Sequence, residues 1–345
     1  MDMIFNLNMP DGDYTHINVM IKSPDGKCIL VASSNKEVRV FYLPQNIAER
    51  EFNDENWLMG GWKNDIKPTF SYKESEYIYD YSWFPLMNAE DQNSCCCHLA
   101  YSVEFSLDGL KLIGGYLKRI QVFDVERPGK ISAPIISQEH TGIVSAISCH
   151  PQLRSVIAAG SYSSSLALFS LQTQRPFVIL QGQKKGITHI KFSGDGTKLF
   201  SGTRNDDDIF CWDMRNPGEL LAVYKRELTT NQKYYFDVTP QDDRFLITGT
   251  KRGQVLVYDL SSSSSNTDQG DILPTTSFTA HKDCVNGISV HPNLPLLATS
   301  SGQRSIPQVD DVASSDSDDS ESETSLNTTE LKENSMKLWW IGQFQ

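Results

Sequence analysis

Adjacent pairs of basic residues recur along this chain, together with tyrosines and amides. Basic clusters attract phosphate groups, aromatic rings stack on unpaired bases, and amides offer a donor and an acceptor to base edges. The sequence therefore predicts a surface that binds single-stranded nucleic acid. The candidate residues are Lys118, Arg119, Tyr162, Lys184, Lys185, Arg204, Asn231, Gln232, Lys251, Arg252 and Arg304. Further candidates of the same types are Tyr116, Arg226, Tyr234 and Lys282. The alternative is that the charges only solvate the surface and the tyrosines only pack.

No catalytic motif accompanies these residues. The sequence contains no phosphate-binding loop, HExxH pair, nucleophile elbow or paired CxxC. We therefore predict that the protein is not an enzyme and has neither a cofactor nor a small-molecule substrate. The triplet Cys95–Cys97 cannot give tetrahedral zinc coordination by itself, so we also predict no metal site.

Charge is unevenly distributed over the 345 residues, whose net charge is −12. Between Ser305 and Ser335, nine acids and one lysine give a net charge of −8, which leaves −4 for the rest of the chain. A body that is nearly balanced can present a basic face. No apolar run approaches the roughly 18 to 20 residues of a membrane helix, and the first residues lack the pattern of a signal peptide. We predict no membrane association and a reducing compartment.

The elements that must position the candidate residues repeat along the chain. Each copy has a β-branched run, a turn at Pro or Asp-Gly, a run ending in small residues, and an apolar run ending in an aromatic. The clearest copy contains Ile187–Phe192, Lys198–Gly202 and Ile209–Asp213, and its Trp212-Asp213 pair is typical of a WD40 blade. The pattern predicts an all-β fold, a WD40 β-propeller with seven blades in a single domain.

The second copy is incomplete. It begins with Tyr77–Phe84, but the next copy already begins at Leu99, so the sequence predicts a truncated second blade. Either a segment is missing, or residues 44–76 complete that blade. The predicted divisions are a closing strand at 1–8, blade 1 with a linker at 14–76, partial blade 2 at 77–98, blade 3 at 99–137, blade 4 at 138–181, blade 5 at 182–228, blade 6 at 229–280 and blade 7 at 281–345.

One rim of such a propeller collects the candidate residues. Connections between blades, and turns between the second and third strands of a blade, emerge on the same rim, and the repeat register places the candidates in these segments. His140 and His281 precede blades 4 and 7. We predict that they form buried hydrogen bonds inside their blades rather than contacts with a ligand.

Several longer strings are more specific than the Trp-Asp pair. They are Tyr77–Trp83, Gly160–Tyr162, Cys211–Arg215, Leu228–Asp237, His291–Thr299, Ser301–Arg304 and Leu338–Trp340. Through these strings the chain resembles the telomerase Cajal body protein family from about Tyr14 onwards.

This resemblance implies a nuclear propeller of the Cajal body. It implies binding to the CAB box of small Cajal body RNAs and of telomerase RNA, and delivery of these ribonucleoproteins to Cajal bodies in support of telomere maintenance. The implied partners are those RNAs, the telomerase ribonucleoprotein and Cajal body proteins. A second interpretation stays open, in which the protein is a peptide-binding scaffold that contacts RNA only through its protein partners.

An acidic insert at 305–334 interrupts blade 7 between its second and third strands. Its Ser/Asp/Glu composition offers too little apolar surface to fold, so we predict disorder. The insert emerges at the candidate rim, where it is expected to compete with RNA phosphates. Phosphorylation would strengthen this effect, and the candidate sites are Ser317, Ser320 and Ser322.

Overall fold

The computed structural model describes residues 2–8, 17–20, 23–43, 68–86, 95–97, 100–126, 134–261, 272–302 and 333–342. In these ranges the chain forms β-strands that assemble into seven antiparallel sheets, numbered here 1 to 7. They contain no helix that is long and apolar enough to cross a membrane.

Sheets 1 to 3 follow the first strand of the chain, β1 (Asp2–Asn8), which belongs to sheet 7. Sheet 1 contains β2 (Ile17–Met20), β3 (Cys28–Ser33), β4 (Glu37–Tyr42) and β5 (Phe70–Lys73). Sheet 2 has two strands, β6 (Tyr81–Trp83) and β7 (Cys95–Cys97). Sheet 3 has three, β8 (Ser102–Phe105), β9 (Lys111–Tyr116) and β10 (Arg119–Asp124).

Sheets 4 to 7 each have four strands. Sheet 4 contains β11 (Val144–Cys149), β12 (Val156–Ser161), β13 (Leu166–Ser170) and β14 (Arg175–Leu180). Sheet 5 contains β15 (Ile187–Phe192), β16 (Lys198–Thr203), β17 (Asp208–Asp213) and β18 (Leu220–Lys225). Sheet 6 contains β19 (Phe236–Val238), β20 (Phe245–Gly249), β21 (Gln254–Asp259) and β22 (Thr276–Thr279). Sheet 7 contains β23 (Val285–Val290), β24 (Leu296–Ser301) and β25 (Ser335–Trp340), with β1 on its outer edge.

Small residues at the ends of the second strands allow neighbouring sheets to approach closely. A Cβ atom on Gly160 of β12 would lie 2.5 Å from the Ile187 side chain, and one on Gly249 of β20 would lie 2.1 Å from the Val285 carbonyl oxygen. Only glycine leaves room for the first strand of the next sheet at these two points. This explains why the second run of each copy ends in small residues.

Contacts between successive sheets close the ring. Strand β8 packs against β6 and β11, β15 packs against β11, and β23 packs against β19 and β2. Between sheets 5 and 6, His189 Nε2 donates to the Phe236 carbonyl oxygen at 3.1 Å. The predicted all-β propeller is thus confirmed, while the count of seven blades and their boundaries stay predictions.

The region of the truncated copy is the thinnest part of the described ring. Sheet 2 pairs only Tyr81–Trp83 with Cys95–Cys97. Strand β5, from the segment 44–76 that was one candidate for completing blade 2, instead pairs with β4 in sheet 1. Residues 44–67 lie outside the described residues.

Candidate nucleic-acid interface

Backbone hydrogen bonds join the candidate segments along one rim. The rim is defined here by two kinds of segment: the turns between the second and third strands of sheets 3 to 6, and the connections that lead into sheets 4 to 7. In sheet 5, the Arg204 amide donates to the Gly186 carbonyl at 2.8 Å, and the Asn205 amide donates to the Thr230 carbonyl at 2.9 Å. The turn of this sheet is therefore fixed to the connection before it and to the connection after it.

Tyr162 and Arg204 form a stacked pair on this rim. The Arg204 guanidinium carbon lies 5.0 Å from the centre of the half-buried Tyr162 ring, within cation–π range. A Cβ on Gly186 would come within 2.7 Å of the Tyr162 carbonyl oxygen, so the backbones approach closely here. Lys184 and Lys185 are exposed in the same connection. The structure thus brings four candidates together: an aromatic ring, a guanidinium and two ammonium groups.

Lys118 and Arg119 form a second basic group on the rim. Both are exposed, and the Arg119 guanidinium carbon lies 5.5 Å from the centre of the Tyr116 ring. Lys118 has a φ of 59° at the tip of the turn, and its amide donates to the Gly142 carbonyl at 2.7 Å. Burial of part of the Tyr116 ring raises the pKa of its hydroxyl, which therefore stays neutral.

Lys251 and Arg252 form a third basic group at the turn of sheet 6. Both are exposed, and the Lys251 amide donates to the Glu227 carbonyl at 2.9 Å. Arg252 is paired with the Glu227 carboxylate at 3.0 Å, but the two side chains are 74% and 46% exposed. Such an exposed pair is weak and can exchange the carboxylate for a phosphate. Lys282, on the next connection, is also exposed.

Asn231 and Gln232 lie in the connection from β18 to β19. In sheets 4, 5 and 7, the last buried polar residue of the connection lies seven positions before the middle of the first strand; the pairs are His140 and Ile147, Gln183 and Ile190, and His281 and Ile288. In sheet 6 the equivalent residues, Arg226 and Phe236, are ten positions apart. The three additional residues carry the connection outward, and Asn231 is exposed. Gln232 is half-buried, and within the described ranges its Oε1 has no hydrogen-bond partner.

Two of the further candidates are buried, so their prediction as direct contacts was wrong. Arg226 is 2% exposed and Tyr234 is fully buried. The Arg226 side chain turns inward because Gly202 leaves space for it, since a Cβ at that position would lie 2.7 Å from Arg226 Nη2. The Tyr234 ring packs with Leu228 and Cys284 beneath the connection.

The remaining candidates belong to the segment between β24 and β25. Arg304, Ser317, Ser320 and Ser322 lie outside the described residues, as does most of the acidic insert. Its last acid is ordered, however: Glu333 accepts from the Lys282 amide at 2.5 Å and from Lys337 Nζ at 2.8 Å. The disorder of the insert at 305–334 stays a prediction, while specific bonds hold Glu333, near its end, against the rim.

Beneath the rim, sheet 7 contains a continuous chain of buried hydrogen bonds. Trp339 Nε1 donates to Thr299 Oγ1 at 2.8 Å, and Thr299 Oγ1 lies 2.7 Å from His281 Nε2. His281 Nδ1 lies 3.1 Å from Glu333 Oε1. Burial lowers the pKa of His281 to about 4, so the ring is neutral at pH 7. Neutrality assigns the ring proton to Nδ1, which donates to the carboxylate, while Nε2 accepts from Thr299.

Glu333 is the charged end of this chain of bonds. Burial alone favours the protonated acid, but hydrogen bonds from Lys337, Ser335 and the Lys282 amide outweigh it and lower the pKa of Glu333 to about 2. The predicted structural role of His281 agrees with this geometry.

Sheets 4 and 5 place other side chains at the same position. In sheet 5, Gln183 Nε2 and Trp212 Nε1 both donate to Ser201 Oγ, the latter at 2.8 Å. Sequence analysis missed Gln183, although its spacing of seven residues before Ile190 repeats that of His281 before Ile288.

Sheet 4 has His140 at this position, but the groups around it differ. Strand register places Ala159 where Ser201 and Thr299 stand, and Phe169 where the tryptophans stand. His140 Nδ1 lies 3.0 Å from Ser165 Oγ, and its ring meets Phe169 edge to face at 5.4 Å. Its Nε2 has no partner among the described residues.

Metal ligation has no support in the described ranges, where no three His, Cys, Asp or Glu side chains cluster around a common point. The side chains of Cys95–Cys97 lie outside the described residues. The four cysteines described, Cys28, Cys149, Cys211 and Cys284, are free thiols, and burial raises the pKa of each.

Comparison with known proteins defines the class. The family model described as WD domain, G-beta repeat matches residues 174–213 and 273–306. The first match begins near the outer strand of sheet 4 and ends at Trp212-Asp213, and the second includes β23 and β24. The protein is therefore a WD40-repeat β-propeller.

Within that class, the chain is similar to telomerase Cajal body protein 1 of Mus musculus, with 34% identity over 93% of the chain and 65% of the relative. The Homo sapiens protein is 33% identical over 93% of the chain and 63% of its own length. The Drosophila melanogaster homolog is 28% identical over 93% of the chain and 65% of its own length. The chain thus spans slightly less than two thirds of these relatives. The resemblance is confirmed, since the chain is a homologue of the telomerase Cajal body proteins, whose name agrees with the predicted localisation.

Proposed function

We propose that this protein is a non-catalytic scaffold that binds the CAB box of small Cajal body RNAs and of telomerase RNA. It directs these ribonucleoproteins to Cajal bodies in the nucleus and thereby supports telomere maintenance. Its partners are those RNAs, the telomerase ribonucleoprotein and Cajal body proteins. Its homology to proteins named for telomerase and the Cajal body supports this proposal.

The single observation that carries the RNA contact is the Tyr162–Arg204 stack beside Lys184 and Lys185. A loop base can stack on the ring or the guanidinium plane while the lysines meet the flanking phosphates. Asn231 lies on the connection bonded to the same turn, so an amide that reads base edges is adjacent. The remaining basic groups extend the positive rim to sheets 3 and 6.

The test is binding of purified protein to an RNA hairpin whose loop carries the CAB box, compared with the same stem carrying a substituted loop. Specific recognition predicts at least about tenfold tighter binding to the first hairpin. Equal affinity for both hairpins, or no binding, contradicts direct recognition.

Variants of the rim refine the same test. Tyr162→Ala removes the stacking ring and is expected to weaken binding by about 1 to 3 kcal/mol. Replacing both Lys251 and Arg252 by Gln is expected to reduce the slope of log K against log salt by about 0.7 per lost phosphate contact. The matched control is Arg154→Gln, an exposed charge between β11 and β12 on the opposite rim. A slope lowered equally by the control assigns the effect to net charge.

A protein-binding scaffold is the second candidate. The observation in its favour is a group of exposed aromatics in and just after β5, the edge strand of sheet 1: Phe70 is 54%, Tyr72 51% and Tyr77 53% exposed. Large exposed rings in one region are typical of protein contact sites. If RNA is held only through partners at this surface, purified protein will bind neither hairpin, and Phe70→Ser will abolish RNA recovery from cell extract while Tyr162→Ala will not.

A further inference from the structure

Arg226 occupies a position that neutral side chains occupy in three other sheets. It donates to the second-strand hydroxyl of sheet 6, with Nη1 3.3 Å from Thr248 Oγ1, as Gln183 does in sheet 5. His281 contacts the equivalent hydroxyl in sheet 7 and is neutral. A hydrogen bond at this position therefore does not require a charge.

The Arg226 guanidinium is buried without a counter-ion among the described residues. Apart from Thr248, it donates only to the Tyr234 carbonyl at 3.4 Å, and Nε and Nη2 have no hydrogen-bond partner within the described ranges. The guanidinium carbon also lies 5.7 Å from the centre of the Phe236 ring. Asp206 and Asp207 in the adjacent turn favour its charged form, but the Asp207 carboxylate accepts instead from the Leu228 amide at 2.7 Å. Burial lowers the pKa of Arg226 to about 10, so it is charged at neutral pH.

A buried, unpaired cation destabilises a fold, and a neutral residue at this position would avoid that penalty. The same charge is poorly screened by salt, because it lies in a medium of low dielectric constant. It therefore extends a positive potential to the surface above it. That surface is the connection Glu227–Tyr235, which carries Asn231 and Gln232 between the turns of sheets 5 and 6.

We propose that Arg226 is a positioning residue of the RNA interface, whose buried charge holds a phosphodiester of single-stranded RNA over the Leu228–Gln232 connection. This inference rests on the proposed function. The phosphate stays outside and does not touch the guanidinium, which is closed to solvent. Asn231 and Gln232 are then placed beside the adjacent base.

The experiment compares Arg226→Gln with Arg226→Lys in the full chain. Gln keeps the hydrogen bond to Thr248, as Gln183 keeps one to Ser201, and removes only the charge. Lys keeps a basic group at this position without the planar guanidinium. For each variant we measure the thermal midpoint and the Kd for the CAB-box hairpin at about 0.1 M and about 0.5 M salt. Arg252→Gln serves as the exposed-charge control.

The expected result is that Arg226→Gln has an unchanged or higher thermal midpoint and binds the hairpin about tenfold more weakly at both salt concentrations. Arg226→Lys should bind within about threefold of the unchanged protein. Arg252→Gln should weaken binding mainly at low salt, because its charge is exposed.

If Arg226→Gln binds the hairpin as tightly as the protein without substitutions, the inference is overturned. The proposed function then still stands, because the protein without substitutions binds the hairpin. Equal loss in the Gln and Lys variants also overturns it, because the guanidinium shape would then matter rather than the charge. If both variants fail to fold, Arg226 is a stability residue and the inference fails. If the unchanged protein binds no RNA, the proposed function itself fails.

Discussion

Sheets 7 and 4 have the same backbone register but different interiors. In sheet 7, a tryptophan, a threonine, a histidine and a glutamate form an unbroken chain of hydrogen bonds. In sheet 4, Ala159 and Phe169 replace the hydroxyl and the indole, and His140 Nε2 has no hydrogen-bond partner among the described residues. Both sheets are complete with four strands. The comparison indicates that strand packing is sufficient to form a four-stranded blade. The buried chain of hydrogen bonds adds stability but is not required for a blade to form.

The largest effect is expected from breaking the chain of bonds in sheet 7. Thr299→Val removes the hydroxyl shared by His281 and Trp339 and leaves two buried polar groups unpaired. We expect the free energy of unfolding to fall by about 3 kcal/mol, measured by urea denaturation. Thr299→Ser keeps the hydroxyl and is expected to cost about 1 kcal/mol. If the two variants lose the same stability, the hydroxyl contributes nothing and the comparison with sheet 4 fails.

A smaller effect is expected from acid. The pKa of His281 is about 4 in the folded protein against an ordinary value of 6.5, so the unfolded chain takes up a proton first as the pH falls. The contribution of His281 to stability is therefore complete above about pH 6.5 and decreases towards pH 4, by about 2 kcal/mol between pH 7 and pH 5.

The matched variant for this experiment is His281→Gln, which copies the neutral donor of sheet 5. It should reduce the loss between pH 7 and pH 5, leaving the similar contribution of His140, whose pKa burial also lowers to about 4. An unchanged pH profile of the thermal midpoint in this variant would show that His281 does not titrate as described.

The smallest effect is expected from introducing into sheet 4 the buried hydroxyl that sheet 7 possesses. Ala159→Ser supplies a hydroxyl opposite His140 Nε2 and should stabilise the protein by about 0.5 to 1 kcal/mol. Ala159→Cys adds a larger sulfur atom that forms only weak hydrogen bonds and serves as the control for packing. Equal changes in the urea midpoints of the two variants would assign the effect to packing.

The fold was accessible from the sequence because turns and strands follow local rules. Asp-Gly turns predicted strand ends, and Gly26, Gly109 and Gly196 all have φ near 72°, which favours glycine. The run Ile187–Phe192 is a strand with the bounds that its composition indicated. Such features depend on neighbours within a few residues.

The interior of the candidate site was less accessible. Arg226 follows Lys225 in an ordinary basic dipeptide, and its burial depends on Gly202, which lies 24 positions earlier in another strand. The anchoring of Glu333 likewise requires His281 and Lys282, which are distant in sequence. The stacking of Arg204 on Tyr162 joins turns of two sheets. No local pattern encodes these pairings, so composition alone assigned Arg226 to the surface and Glu333 to the disordered tract.

The pairing of β1 with β25 also has a consequence in time. Asn8 lies opposite Ser335, so the outer strand of sheet 7 is synthesised well before its partner, 327 positions earlier in the chain. At about 5 to 20 residues per second, these two strands emerge tens of seconds apart. During that interval β1 is an unpaired edge, which other chains can capture. Sheet 7 can therefore be completed only after β25 has left the ribosome.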